Sequence, residues 1–302
     1  MKSAVAVLLL GLSIAFVSWK KDSKTKDYTK TAETQFVTAG GNKIAYRVLG
    51  DKAGIPLVMV SPLGSSMDDW DPAVTNGLAQ KYKVIIFDIP GAGTSGGTTP
   101  DNIPDMAKEV VSFVKALGYN KVNLLGFSMG SFVSQQIVLT EPGLVNKIIL
   151  TGTGPKGSQG LSDLPKFLAA AAGLSPEQVF LASFFNTSEF SQSAGKSALE
   201  RIQERQVNRD APLNGQSFTN EVKAVMGWAQ PNPDALTELK SVKQPVLIVQ
   251  GQGDVLVPVV NAIAMSESIP NAKLVVYPDA GHGSFFQYHD DFVKKALEFL
   301  GK

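Results

Sequence analysis

The pentapeptide Gly126-Phe127-Ser128-Met129-Gly130 follows the apolar run Val122 to Leu125 and opens a second apolar stretch. A serine flanked by glycines at a strand-to-helix turn is what activated-serine chemistry needs. The tight backbone leaves no room for Cβ atoms beside it, and the strained turn lifts the hydroxyl oxygen clear of the sheet. The N–H of Met129 then points from a helix N-terminus toward negative charge developing on a reacting carbonyl. Five residues alone could be a chance Gly/Ser turn; the strand before and the helix after are what give them weight. A serine is a poor nucleophile until a base takes its proton. The chain has two histidines, so a histidine base is either His282 or His289. His289, in Gln287-Tyr288-His289-Asp290 near the start of the last helical stretch, reads as a surface or capping residue.

Composition limits what else these groups could serve. Zero cysteines exclude disulfides, thiolate metal sites, a cysteine nucleophile and a lipid-modified N-terminal cysteine. With two histidines a multi-histidine metal site is not expected either, which leaves only carboxylates to bind a metal. A net charge of +1, and no Lys/Arg patch interleaved with aromatics, argues against nucleic acid as a partner. At 44% hydrophobic and 18% charged residues, the 302-residue chain has the profile of a packed α/β protein.

The elements that must position Ser128 can be read from periodicity. Strand-like runs bounded by Gly, Pro and Asp recur at Phe36 to Thr38, Ile44 to Val48, Leu57 to Val60, Val84 to Phe87, Val122 to Leu125, Ile148 to Thr151, Val246 to Val249 and Leu274 to Tyr277. The first two are joined by the hairpin signal Ala39-Gly40-Gly41-Asn42. Most later runs are continuously apolar, as in parallel strands buried on both faces. Helical spacing appears between them at Asp101 to Leu117, Met129 to Leu139, Val260 to Ile269 and Asp291 to Leu300. The alternation predicts a mainly parallel sheet with helices on both faces.

Two stretches break it. Residues 156–243 contain no convincing strand, with helical pieces at Leu164 to Ala172, Pro176 to Phe185, Ser197 to Val207, Phe218 to Trp228 and Asp234 to Leu239. An insertion of this kind reads as a helical lid over the C-terminal edge of the sheet. Among its aromatics Phe184 and Trp228, together with Phe127 of the pentapeptide, are candidate substrate contacts, although such residues are more often packing. At the other end, Lys2 precedes the apolar run Ala4 to Trp19, which stops at Lys20-Lys21. Residues 1–19 are therefore expected to be a secretory signal, with Ser13-Ile14-Ala15 as cleavage site, or an uncleaved membrane anchor, placing the protein outside the cytoplasm. Residues 20–34 are polar and predict an exposed tether, with folded structure from Gln35.

From Gln35 to the C-terminus the sequence resembles the α/β-hydrolase superfamily. The resemblance implies an eight-stranded, mostly parallel α/β-hydrolase core, residues 35–155 and 244–302, with residues 156–243 as a lid after the sixth strand. In Gly251-Gln252-Gly253-Asp254, after the strand that follows the lid, it identifies Asp254 as the acid of a triad. In Pro278-Asp279-Ala280-Gly281-His282-Gly283 it identifies His282 as the base, with Asp279 shaping the loop. The order Ser128, Asp254, His282 is that of the fold. The family commonly carries His-Gly after the strand Leu57 to Val60, where this chain has Ser61-Pro62. Pro62 cannot donate, but the oxyanion donor the resemblance implies is the N–H one residue on, at Leu63, acting with that of Met129.

A serine at position 128 argues against haloalkane dehalogenases and epoxide hydrolases of this family, which use an aspartate there; residues 156–243 also lack a tyrosine to serve as epoxide acid. The reading that follows is a serine hydrolase cleaving a carboxylic ester of a small or medium apolar substrate. Alternatives sharing the triad are a carbon–carbon bond hydrolase or a cofactor-free perhydrolase; from another class, a ligand-sensing protein that binds without turnover. No cofactor is expected. The pattern Gly91-Ala92-Gly93-Thr94-Ser95-Gly96 matches a dinucleotide fingerprint, but Gly97-Thr98-Thr99-Pro100 prevents a helix from starting close behind it.

Overall fold

A computed structural model describes residues 26–301. Its centre is one eight-stranded sheet in the order β1-β2-β4-β3-β5-β6-β7-β8. The strands are β1 (Gln35–Ala39), β2 (Asn42–Leu49), β3 (Leu57–Val60), β4 (Val84–Phe87), β5 (Val122–Phe127), β6 (Val145–Thr151), β7 (Val246–Gly251) and β8 (Ala272–Tyr277). β1 pairs antiparallel with β2, and β2 with β4; every other pairing is parallel. The hairpin joining β1 to β2 turns at Gly40 and Gly41, both at positive φ.

The helices are α1 (Tyr28–Thr31), α2 (Pro72–Ala79), α3 (Ile103–Ala116), α4 (Met129–Thr140), α5 (Leu164–Ala171), α6 (Pro176–Phe184), α7 (Glu189–Ile202), α8 (Gly215–Trp228), α9 (Ala235–Leu239), α10 (Val259–Ser268), α11 (Ser284–Gln287) and α12 (His289–Leu300). Every residue of β3, β4, β5 and β7 is buried. Alternation along these strands feeds two separate cores. Val58, Val60, Ile85 and Phe87 face α3 and α4 through Met106, Val110, Phe132 and Ile137. Leu57, Met59, Val84 and Ile86 face α2 and α12 through Val74, Leu78, Phe292 and Ala296. Burying such side chains stabilises by about 1.5–3 kcal/mol each.

Helices α5 to α9 all lie between β6 and β7. Helix α2 is not signalled by the apolar periodicity, because Asn76 and Gly77 weaken its propensity. Gly77 is there for packing: a Cβ on it would meet Val293 Cγ1 of α12 at 2.9 Å. Asp71 caps α2 by accepting from the Ala73 N–H at 2.9 Å. Helix α7 begins eight residues earlier than Ser197, at Glu189, with Ser188 accepting from the Ser191 N–H. Its first half carries small residues because Gly195 lies under Leu181 and Phe185, where a Cβ would come within 2.6 Å of Leu181.

The expected start of folded structure at Gln35 is corrected. Helix α1 docks on α2, with the Thr29 N–H and Oγ1 donating to Asn76 Oδ1 at 2.9 and 3.0 Å. Arg205 Nη2 donates to the Ala32 carbonyl at 2.9 Å and Arg205 Nη1 to that of Thr29. Polar composition hid this because the docking is made largely by hydrogen bonds, with only Tyr28 and Ala32 packed against the apolar core. The expected signal or anchor at residues 1–19 lies outside the described residues. Among the described residues no helix is long and apolar enough to cross a membrane.

Candidate active site

Ser128 sits where β5 ends and α4 begins, with φ +52° and ψ −119°. A non-glycine residue pays of order 1–3 kcal/mol to be held there, which the surroundings must over-determine. They do so through backbone. The Ser128 N–H donates to the Thr151 carbonyl at 2.9 Å, and its carbonyl accepts from the Ser131 N–H at 2.8 Å and Ser131 Oγ at 2.6 Å. The flanking glycines are steric necessities. A Cβ at Gly126 would collide with the Gly130 carbonyl oxygen, and one at Gly130 with that of Val60. Although Ser128 is the N-cap of α4, its side chain makes no capping bond. The hydroxyl is left available to the cavity it lines.

His282 lines the same cavity and is 2% exposed. Its Nδ1 lies 2.7 Å from Asp254 Oδ2. Asp254 is an acceptor-only group with every lone pair engaged. Oδ1 accepts from the Leu256 and Val257 N–H groups, each at 2.9 Å, and Oδ2 also accepts from Gln250 Nε2 at 2.6 Å. With donors on all sides the carboxylate is fixed in orientation, and as an acceptor it places the proton of the imidazole on Nδ1. That leaves Nε2 as an acceptor, buried and without a partner among the described residues. The ring is packed between Phe127, centroids 5.1 Å apart, and Phe184, 6.1 Å apart. The loop carrying it is tied to α6, since the Gly283 N–H donates to the Phe184 carbonyl at 2.8 Å. A helix between β6 and β7 thus helps to place a residue after β8.

Neither the Leu63 nor the Met129 N–H has an acceptor among the described residues. Leu63 lines the main cavity, and Met129 lines a small space behind the loop. The next N–H, that of Gly64, donates to Glu221 Oε2 of α8 at 2.7 Å. Glu221 is 1% exposed, and burial pushes its carboxyl up to about 8, with the Gly64 bond pulling the other way. Ser61, standing where the family commonly has histidine, accepts from Trp70 Nε1 at 3.1 Å.

The main cavity holds about 450 Å3, within the range of about 300–1,000 Å3 that encloses small ligands. Its walls come from the β3 loop, from α5 to α8 and from the loop after Asp254. Phe184 lines it. Phe127 borders it but is fully buried and packs mainly on Phe285, Phe286 and His282. The expectation for Trp228 is corrected: it lies outside the cavity lining, stacked on Phe132 at 5.5 Å with Nε1 directed at the Gly154 carbonyl. An apolar aromatic on an amphipathic helix carries no sign of which apolar neighbour it meets. Asp279 accepts from Ser188 Oγ at 2.7 Å, and His289 pairs with Asp290 at the start of α12, both away from Ser128. Among the described residues no group of three or more His, Cys, Asp or Glu side chains is placed to hold a metal ion.

The sheet order and this site place the chain in a family that comparison establishes. It belongs to the α/β-hydrolase fold family, whose profile matches residues 55–287. A solved α/β-hydrolase fold protein from Chitinophaga pinensis is 38% identical, covers 90% of this chain and 98% of its own, and superposes with a TM-score of 0.87. Curated relatives include a pimeloyl-[acyl-carrier protein] methyl ester esterase of Nitrosomonas europaea, 24% identical over 80% of this chain and 93% of that protein. They also include a 2-hydroxy-6-oxo-6-phenylhexa-2,4-dienoate hydrolase of Burkholderia cepacia, 25% identical over 91% of this chain and 98% of that protein. Both relatives are hydrolases by name.

Proposed function

We propose that the chain is a serine hydrolase that cleaves a carboxylic ester with a small or medium apolar acyl group. The observation that carries this is a serine hydroxyl on a strained turn sharing a cavity with a histidine whose Nδ1 is fixed by Asp254 and whose Nε2 is free. In this reading Ser128 Oγ attacks the ester carbonyl as His282 Nε2 takes its proton. Asp254 stabilises the imidazolium, and the N–H groups of Leu63 and Met129 receive the oxyanion. His282 then returns the proton to the leaving alcohol, and water activated by the same nitrogen releases the acid from the acyl-enzyme. Helices α5 to α8 act as the lid that keeps the cavity apolar.

The test is hydrolysis of p-nitrophenyl butyrate by the full chain. Wild type is expected to turn over, and Ser128→Ala to lose about 10³-fold or more in kcat. Undiminished turnover in Ser128→Ala would sink the assignment.

A further inference from the structure

The charges on the cavity wall are all of one sign. Its lining contains three carboxylates, Asp69, Asp163 and Glu177, and among the described residues no lysine or arginine. Asp163 and Glu177 are exposed, at the α5 and α6 side, and Asp163 is already paired with Lys166 at 2.6 Å. Asp69 is the inner one. It follows the β3 loop and precedes Trp70, and its Oδ2 accepts from the Ser66 N–H at 2.7 Å and Ser66 Oγ at 3.2 Å. Its Oδ1 makes no hydrogen bond among the described residues. Burial raises the Asp69 carboxyl, with the Ser66 bonds and the charge of Arg209 pulling the other way and the neighbouring Asp68 charge adding to the rise. Arg209 is spent elsewhere, on the carbonyls of Ile202 and Arg205, and is not part of the lining.

A second carboxylate on a substrate entering this cavity would lose its hydration, find no cation and face Asp69. Desolvating an unpaired charge is the most expensive step a binding site can ask for, and an ionised Asp69 adds repulsion in a low-dielectric space. A neutral acyl chain meets neither cost and contacts Leu164, Phe167, Phe180 and Phe184 instead.

We propose that this cavity selects uncharged acyl groups and excludes acids carrying a further carboxylate, with Asp69 as the residue that enforces the exclusion. The inference rests on the esterase reading and narrows its substrate class to neutral esters. It also separates this chain from any relative whose substrate is a dienoate, because that ion would enter here without a countercharge.

The experiment compares p-nitrophenyl pentanoate with the mono-p-nitrophenyl ester of glutaric acid, nearly the same length but ending in a carboxylate, on the full chain. The neutral ester is expected to have kcat/KM higher by about 100-fold or more, and Asp69→Asn to narrow that ratio about tenfold or more. Asparagine keeps an acceptor for the Ser66 N–H. Should Asp69→Asn fail to fold, the ratio for the two esters on wild type alone decides the class. Equal kcat/KM for the two esters overturns the exclusion. An unchanged ratio in Asp69→Asn overturns the assignment to that residue. Failure to hydrolyse either ester counts against the esterase reading itself, a distinct result.

Discussion

Asp254 is held by four donors, two on each oxygen, and this makes its chemistry unforgiving. Asparagine at that position has one amide nitrogen, and in either orientation that nitrogen faces groups that already donate. Turned toward Gln250 and His282 it would also push the imidazole proton onto Nε2, removing the acceptor that Ser128 needs. Asp254→Asn is therefore expected to lower kcat on p-nitrophenyl butyrate by about 10³ to 10⁴-fold; a loss under tenfold would show that the carboxylate does not orient His282. At this scale the sequence is informative where chemistry demands a local pattern. Ser128 is marked by flanking glycines that steric contact makes obligatory, and the choice of His282 is helped by there being only one other histidine. Gln250, which fixes Asp254 and also accepts from the Thr153 N–H at 2.9 Å, has only a faint signal: a polar residue ending an apolar strand. Glu221 and Asp69 have none, because what they do depends on groups far away in sequence.

Among elements, α8 and the loop after β3 are joined by a single partly buried hydrogen bond, Gly64 N–H to Glu221. The other ionisable group lining the small space around it is Asp88, itself raised by burial and by the facing Asp210 carboxyl, so no cation offsets the charge of Glu221 there. Folding raises the Glu221 carboxyl from 4.5 to about 8. Its protonated form is thus the one the fold favours. The associated stability is complete below about pH 4.5 and is lost as pH rises toward 8, by up to about 1.4 kcal/mol per pH unit. Thermal melts of wild type between pH 5 and 8 should fall relative to those of Glu221→Gln, which keeps the acceptor and cannot ionise. Parallel curves for the two proteins would show that Glu221 does not titrate in that range. The eight strands were all legible: β3, β4, β5 and β7 because parallel strands buried on both faces are continuous apolar runs, β1 and β2 because a Gly-Gly hairpin signal joins them, and β6 and β8 by apolar runs of their own. The helices between β6 and β7 were legible as helices, but their boundaries and inward faces were not, because α6 and α7 are shaped by contacts with the histidine loop and with each other.

Across the molecule, one buried carboxylate ties together parts that are distant in the chain. Asp68, in the turn before α2, pairs with Arg47 of β2, lies 3.8 Å from Arg205 and accepts from the Asp210 N–H. Arg47 in turn donates to Thr34 Oγ1 and to the Asn208 carbonyl, and Arg205 holds the carbonyls of Thr29 and Ala32. The N-terminal α1, the sheet and the chain between α7 and α8 therefore meet at one charge network that is almost wholly shielded from solvent, with Arg47 1% exposed. Such a network adds little net stability compared with apolar packing, but removing one partner strands the rest. Asp68→Ala leaves Arg47 buried without its anion, and the expected cost is about 3–5 kcal/mol in urea unfolding. The double variant Arg47→Met, Asp68→Ala should recover part of that loss, since the stranded charge is gone. Hydrogen exchange should show where the damage goes, with protection falling together at residues 28–34 and 205–210, which share the network and no apolar core of their own. A loss below about 1 kcal/mol in Asp68→Ala, or exchange unchanged in either segment, would mean that the three parts are held together by the surrounding packing and not by this carboxylate.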